Sequence, residues 1–211
     1  MIQLRIKTEY SFGQTFAPID RVINRLKEIG CTAAGIVDTS TWGHVAWFDA
    51  CTAAGIRPLL GVEAFVSDDE EQLKMWFLAR STDGLAELYR ATSKSYQQKM
   101  PTKFGSVPRL YRDDIRHMSN QIIKFAGDVV DEKFLQEVGA VIDLNPASRI
   151  LNTRKIRIAE KTGLVTISTS DNAYSSPGEE GLFEVISKSG RKSTPQWILD
   201  DLDHQAAAAL I

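Results

Sequence analysis

The chain has 211 residues, of which 43% are hydrophobic and 25% charged, a balance that excludes a mainly disordered, collagenous or coiled-coil protein. With 25 Lys and Arg against 27 Asp and Glu, the net charge of -2 gives no overall positive field, so contact with nucleic acid would need a local basic patch or a partner. The two cysteines give no disulfide framework, no apolar run is long enough to span a membrane, and no signal-peptide layout opens the chain, so we expect a cytoplasmic protein.

Short strands and helices are predicted in alternation along the chain. Apolar alternation or short apolar runs predict strands at residues 2–6, 33–37, 57–66, 74–79, 121–126, 141–144 and 164–169. Apolar residues at helical spacing, with Gly or Pro at several of the ends, predict helices at residues 18–28, 43–54, 82–99, 131–138, 147–162 and 178–187. Pro101, Gly105 and Pro108 indicate a long loop over residues 100–110.

About seven strand-then-helix units in one chain favour an α/β fold with a parallel sheet. Seven units within 211 residues are too compact for an open sheet plus a second domain, so the sequence predicts a closed (β/α) barrel. We assign residues 1–190 to this barrel and residues 191–211 to a C-terminal helical tail or linker.

Polar and charged residues gather at the predicted strand ends, where parallel barrels place their chemistry. They are Arg5, Lys7, Asp38, Thr39, Glu63, Lys74, Lys124, Asp143 and Asp171. Such residues are usually just solvated, and an acid such as Asp38 after a strand often caps the next helix. Glu63 differs because it lies inside an apolar strand, where a carboxylate is costly unless it is paired or bound to a metal.

A second candidate surface is the segment 94–116, where basic residues are interleaved with aromatic ones. This pattern suits single-stranded nucleic acid, and an ordinary exposed loop is the alternative. The residues that would contact nucleic acid are Lys99, Lys103, Arg109 and Arg112.

The opening residues 4–11, LRIKTEYS, resemble the first motif of the PHP (polymerase and histidinol phosphatase) domain. The likeness is greatest to the PHP domain at the front of bacterial-type DNA polymerase III alpha subunits, where this motif reads His-x-His-Thr-Glu-Tyr-Ser. Similar segments continue to about residue 190, and they are residues 37–39, 61–66, 77–80, 108–109 and 168–174.

This resemblance implies a distorted (β/α)7 barrel. Active members of the family hold a trinuclear metal cluster and hydrolyse phosphoesters, and in some polymerases the domain is a metal-dependent 3′-5′ exonuclease. In other polymerases the site is degenerate, and the domain supports the polymerase and docks a separate proofreading subunit.

The sequence departs from the family pattern at the metal ligands. Five positions at which the family has a histidine hold other residues here, and they are Arg5, Lys7, Thr39, Lys74 and Ala173. Lys124 stands at the position where the family usually has a cysteine. Acids remain at Asp38, Glu63, Asp171 and, where the family has Glu, Asp143. Arginine offers no lone pair at neutral pH, and a fixed cation about 4 Å from a divalent ion costs several kcal/mol at an effective dielectric near 20. We therefore expect no catalytic metal and no cofactor.

Two interpretations of the basic residues stay open. In the first, Arg5, Lys7, Lys74 and Lys124 pair with the four acids and occupy the space of the metal ions. In the second, the same cations face outward and bind phosphate from DNA or a nucleotide.

The resulting hypothesis is a catalytically inactive PHP-like domain that acts as a scaffold or as a protein- or DNA-interaction module in replication. It would be part of a DNA polymerase III alpha-type polymerase or associated with one, and its partners would be a polymerase or a proofreading exonuclease, and DNA. The alternative is a metal-dependent phosphoesterase or 3′-5′ exonuclease that uses Asp38, Glu63 and Asp171 with Mg²⁺ or Mn²⁺.

Overall fold

The computed structural model describes residues 1–69, 72–102, 105–146, 148–169 and 172–187. Its strands are β1 (Ile2–Ile6), β2 (Ala33–Ile36), β3 (Arg57–Val66), β4 (Lys74–Ala79), β5 (Lys99–Thr102), β6 (Gly105–Leu110), β7 (Ile122–Phe125), β8 (Ile142–Leu144) and β9 (Thr166–Ser168). Its helices are α1 (Ile19–Glu28), α2 (His44–Ala53), α3 (Thr82–Ser95), α4 (Arg112–Arg116), α5 (Glu132–Glu137), α6 (Arg149–Thr162) and α7 (Glu180–Ser187). The predicted α/β fold is confirmed. The predicted tail, 191–211, lies outside the described residues.

The central sheet runs in the order β1-β2-β3-β4-β7. Strands β1, β2 and β3 are parallel, and β4 is antiparallel to both β3 and β7. A parallel bridge between Phe125 and Val141 leads to the β8–β9 pair, which is itself parallel. The prediction of a uniformly parallel sheet is therefore wrong at β4, because only seven residues separate β3 from β4 and a parallel crossover needs a dozen or more.

A side chain links the two ends of this strand series. The Asn172 amide nitrogen donates to the backbone carbonyl of Lys7 at 2.8 Å, and its oxygen accepts from the Lys7 backbone N–H at 2.7 Å. A bridge between Phe16 and Tyr174 adds a second connection nearby. Asn172 thus makes the pair of hydrogen bonds that a strand neighbour would make, and it brings the segment after β9 against the end of β1.

The interior of the strand series is apolar. One buried cluster takes residues from strands on both sides of the series, and it comprises Leu4, Ala33, Val37, Leu59, Trp76, Leu78, Ile123, Phe125, Val141 and Ile167. Trp76 and Phe125 stack within it at a ring-centroid distance of 3.4 Å. Two further clusters lie between the strands and the surrounding helices. Side chains of one strand therefore alternate between the interior and the helix-covered layer.

The predicted loop over residues 100–110 is wrong. The structure has a hairpin there, in which β5 and β6 pair and β6 also joins β3. Pro101 and Pro108 are accommodated because the hairpin lies at the margin of the sheet, where a missing backbone N–H removes little of the ladder. Among the described residues, no helix is both long and apolar enough to cross a membrane.

Candidate functional site

Three basic side chains converge on Glu63 at the edge where β1 and β3 end and β4 begins. The two Glu63 carboxylate oxygens accept from Lys7 Nζ at 2.9 Å and Lys74 Nζ at 2.7 Å, both on Oε1, and from Arg5 at 2.9 Å on Oε2. We call Arg5, Lys7, Glu63 and Lys74 the Glu63 cluster. Lys74 reaches it because β4 is antiparallel, so the first residue of β4 lies beside the last residues of β3.

An irregularity in β1 helps to place the other two cations. The register of β1 against β2 shifts between Gln3 and Ile6. Leu4 packs in the interior cluster, whereas Ile6 packs in the layer beneath α1 and α2. Arg5 and Lys7 therefore both turn towards the interior near the strand end, where they meet Glu63.

The electrostatics of Glu63 are dominated by these cations. The residue is only 2% exposed, and burial alone would raise the pKa of its carboxyl group. The positive charges of Lys7, Lys74 and Arg5 outweigh that effect and hold the Glu63 pKa well below its ordinary value. Glu63 is therefore an ionised carboxylate whose two oxygens are both engaged.

Asp143 forms a second buried centre beside the first. Lys155 Nζ donates to Asp143 Oδ1 at 3.0 Å and to the Asp143 backbone carbonyl at 2.6 Å. Oδ2 accepts from Trp76 Nε1 at 2.9 Å, and Oδ1 also accepts from the Gly127 backbone N–H at 2.8 Å. Arg5 lies 3.5 Å from Asp143, so one guanidinium connects the two centres.

Lys155 was not among the predicted site residues, although the pattern of α6 carries a signal for it. Lys155 is 1% exposed and lies with Ile158 on the buried face of α6. A lysine at the core-facing position of a helix needs a buried partner, because an unpaired buried charge is very costly. The helical spacing could therefore have pointed to an internal ion pair, though not to Asp143 as its partner.

Asp38 forms no ion pair within the described part of the chain, contrary to the hypothesis that the four basic residues pair with the four acids. Its carboxylate accepts from the Thr8 backbone N–H at 2.7 Å, the Thr8 hydroxyl at 2.6 Å and the Ser11 hydroxyl at 2.6 Å, and no described basic residue is within ion-pair distance of it. Burial raises the Asp38 pKa, and these three donors oppose that effect. Hydroxyl and amide donors of the segment after β1 thus satisfy this acid.

Lys124 lies away from the Glu63 cluster, so its predicted place there is wrong. Its strand neighbours Ile123 and Phe125 both point into the interior, and alternation therefore turns Lys124 into the helix-covered layer. There its Nζ donates to the Ser119 carbonyl at 3.2 Å. Burial lowers the Lys124 pKa, and the nearby Glu87 partly opposes that effect.

The remaining predicted site positions have different surroundings. Thr39 lines a cavity of about 600 Å³ that also reaches Glu63 and Lys74 and runs between α3 and the β5–β6 hairpin. Ala173 is 9% exposed and packs with Tyr174 and Phe183. Asp171 lies outside the described residues.

Asp128 is a further acid near the Glu63 cluster, and it was not among the predicted site residues. The residue is exposed to solvent, yet neighbouring protein atoms displace part of the water around its carboxyl group, and this desolvation raises the pKa of Asp128. The negative charge of Glu63 raises it further. Arg5, Lys74 and Lys155 oppose this shift. The positive charges around Glu63 therefore also act on the carboxyl group of Asp128 at the solvent-exposed edge of the site.

The predicted nucleic-acid contacts of the segment 94–116 are partly engaged within the protein. Arg109 lies over the Tyr111 ring at 4.7 Å and donates to the Asp69 carbonyl. Arg112 pairs with Asp131 at 2.6 Å. Lys99 is exposed on β5, and Lys103 lies outside the described residues.

The residues at this site do not fit a cluster of divalent metal ions. A carboxylate ligand must offer lone pairs, but those of Glu63 already face two ammonium groups and a guanidinium, and those of Asp38 face three donors. An added divalent ion would also meet the repulsion of Arg5, Lys7 and Lys74. Within the described ranges, no three His, Cys, Asp or Glu residues form a group that could hold a metal.

The sequence matches the PHP domain family over residues 3–141. This chain belongs to the PHP domain family. It is 32% identical over 91 residues to a DNA polymerase III subunit alpha of Staphylococcus epidermidis, a match that covers 43% of this chain and 8% of that protein. It is 22% identical over 233 residues to the Aquifex aeolicus subunit and over 229 residues to the Bacillus subtilis subunit. These two matches cover 92% and 96% of this chain, but only 20% of each relative.

Two solved structures share the fold of this chain. An amidohydrolase from Chromobacterium violaceum superposes with a TM-score of 0.59 at 16% identity, covering 84% of this chain and 88% of that one. A candidate metal-dependent phosphoesterase from Bifidobacterium adolescentis superposes with a TM-score of 0.61 at 11% identity, covering 99% and 94%. The predicted distorted (β/α)7 PHP-type barrel is thereby confirmed as the fold of this chain.

Replacement of Lys155 by Met tests whether the buried ion pairs stabilise the domain. Lys155→Met leaves the Asp143 carboxylate buried without its ammonium partner, and we expect a loss of about 3–5 kcal/mol in the free energy of unfolding. Lys124→Met is the matched control, because Lys124 is a buried lysine without an ion pair among the described residues, and we expect it to cost less than about 1 kcal/mol. Urea denaturation measures both, and equal losses in the two variants would contradict the account.

The lowered pKa of Glu63 predicts a pH-dependent contribution to stability. A carboxyl group with a folded-state pKa below its unfolded value stabilises the protein above the unfolded pKa of about 4.3, and this contribution disappears as the pH falls through the folded-state pKa. The stability difference between the wild type and Glu63→Gln should therefore be constant from pH 7 to about pH 5 and shrink below about pH 4.3. Denaturation at several pH values, with the exposed Glu28→Gln as the control, checks this. A difference that grows on acidification would disprove it.

Proposed function

We propose that this PHP domain is a non-catalytic module of DNA replication, in which internal ion pairs stand where active relatives of the family hold metal ions. It is part of a DNA polymerase III alpha-type polymerase or a companion of one. The observation that carries this proposal is the Glu63 cluster, in which one buried carboxylate is shared by Arg5, Lys7 and Lys74.

The chemistry of the cluster supports the absence of phosphoester hydrolysis. A metal-dependent phosphoesterase uses its ions to polarise the phosphoryl oxygens and to generate a hydroxide nucleophile. The ammonium groups of Lys7 and Lys74 and the guanidinium group of Arg5 offer no lone pair to a metal ion and no base to a water molecule. What they can do is hold the ends of β1, β3 and β4 together without any bound ion.

The context of replication comes from the relatives. The matched proteins are DNA polymerase III alpha subunits, and this chain spans between about a tenth and a fifth of their length. A domain of this size without catalysis would contribute a rigid surface to a larger cytoplasmic assembly. Its partners would be the polymerase itself or a proofreading exonuclease, and DNA in their company.

Metal content and nuclease activity of the purified protein test the proposal. We expect less than about 0.1 equivalent of Zn, Mn or Fe after purification without chelators, and no release of nucleotides from a 3′-labelled DNA strand in the presence of Mn²⁺. Elemental analysis and a gel-based nuclease assay measure these quantities. Asp38→Asn is the control, because any trace activity should be unchanged by it. Stoichiometric metal together with Mn²⁺-dependent cleavage that Asp38→Asn abolishes would instead establish a phosphoesterase that uses Asp38, Glu63 and Asp171.

Association with a polymerase tests the scaffold role separately. The chain, mixed with the DNA polymerase III alpha-type subunit or the proofreading exonuclease of its own organism, should elute with one of them in size-exclusion chromatography. The folded variant Glu28→Gln should behave like the wild type. Elution of the wild-type chain apart from both proteins at micromolar concentration would refute the scaffold role, whatever the metal content.

A further inference from the structure

Helix α6 presents a row of basic side chains to solvent. Arg154, Arg157 and Lys161 are exposed, while Lys155 and Ile158 face the core. At 3.6 residues per turn, the three exposed cations fall within an arc of about 60° around the helix. We call Arg154, Arg157 and Lys161 the α6 basic row.

Among the described residues, two members of this row lack the ion pairs and hydrogen bonds that most other arginine side chains make. Within the described part of the chain, the side chains of Arg154 and Arg157 form no ion pair and no hydrogen bond. By contrast, acids or carbonyls engage Arg21, Arg25, Arg109, Arg112 and Arg116. Lys161 pairs with Glu132 at 2.7 Å, but both side chains are well exposed, and an exposed pair of this kind is worth little and is easily exchanged.

The exposed face of α6 carries more positive than negative charge. The exposed face of α6 also carries Arg149, and its only acid is Glu160. With Glu132 of α5 paired to Lys161, these four cations have two acids beside them, a local net charge of +2 that departs from the net charge of -2 of the whole chain. Such a local excess attracts a polyanion even though the protein as a whole does not.

The dimensions of the row match a nucleic-acid backbone. Lys161 follows Arg154 by seven positions, which corresponds to about 10 Å along the helix axis. Along one strand of B-DNA, about three nucleotides occupy that length, and each carries one phosphate. Guanidinium groups are well suited to phosphate because their planar donors bind its oxygens in pairs.

A membrane surface fits the row less well. An interfacial helix buries a continuous apolar face, but the apolar face of α6 packs against the core. The two exposed isoleucines, Ile150 and Ile156, lie about 120° apart around the helix and form no continuous stripe. Nucleic acid is therefore the polyanion that the geometry favours.

We propose that the α6 basic row binds the sugar–phosphate backbone of DNA without reading its sequence. This surface is separate from the segment 94–116, where Arg109 of β6 and Arg112 of α4 are engaged internally. The inference goes beyond the proposed function and does not depend on whether the domain binds metal. A negative result for one of the two proposals therefore does not contradict the other.

Fluorescence anisotropy with a labelled 20-base-pair duplex and the corresponding single strand tests this proposal. At 50 mM salt, Arg154→Gln with Arg157→Gln should weaken duplex binding at least about fivefold. In a salt titration, loss of two phosphate contacts should reduce the slope of log K against log[salt] by about 1.8. The matched control is Lys27→Gln with Arg90→Gln, which removes two exposed positive charges from α1 and α3 and should change the slope by less than about 0.4.

Four results would overturn the proposal. The first is an absence of duplex binding by the wild type at 50 mM salt, and the second is an equal loss of affinity in the row variant and the control variant. The third is displacement of the duplex by poly-glutamate of equal total charge as effectively as by unlabelled DNA, which would identify an acidic protein as the partner. The fourth is binding to phosphatidylserine vesicles in preference to DNA. Circular dichroism spectra matching that of the wild type establish that both double variants are folded.

Discussion

The interaction on which this structure depends is the sharing of one buried carboxylate by three cations. Glu63 accepts from Arg5, Lys7 and Lys74 at 2.7–2.9 Å, and it is almost fully removed from water. A carboxylate at this depth is unfavourable by itself, and so is the buried ammonium group of Lys7 beside it. Together they satisfy one another, and they tie the ends of β1, β3 and β4 into one unit. Through Arg5, the same arrangement extends to Asp143 and Lys155.

The architecture of the barrel explains how residues so far apart in sequence reach this point. A register shift turns Arg5 and Lys7 inward, and the antiparallel direction of β4 places Lys74 beside the end of β3. The resemblance to the family implies metal ligands at these positions in active relatives. In the proposed function, the positive charge of the basic side chains takes the place of such ions. The proposed loss of catalysis and the proposed structural role are two consequences of this one substitution.

Much of this arrangement could be anticipated from the sequence, and the failures have physical causes. Alternation of strands and helices predicted the fold, and the motif around residues 4–11 indicated the family. Glu63 stood out because it is an acid inside an apolar strand. Lys124 was misplaced because sequence position alone does not say which face of a strand a residue occupies. Lys155 was missed because a helical lysine is ordinarily solvated, and only the three-dimensional packing of α6 brings it to Asp143.

The contacts made by the segment 94–116 also change where a nucleic-acid surface is to be sought. Interleaved basic and aromatic residues made the segment 94–116 the candidate, but two of its arginines contact Tyr111, Asp69 and Asp131. Charge that is already paired inside the protein contributes little to attraction of a polyanion. The arginines of α6 that have no ion pair within the described residues are less conspicuous in the sequence, because their spacing places them on one side but only the structure shows that this side is exposed.

The most direct measurement of the central claim is the ionisation of Glu63 itself, followed by the ¹³C chemical shift of its carboxyl carbon during a pH titration. If the three cations surround the carboxylate as described, the Glu63 signal should remain that of the ionised form well below pH 4, until the domain unfolds. If burial dominates instead, the signal will show protonation above about pH 5, and the account of a carboxylate held by Arg5, Lys7 and Lys74 will be contradicted.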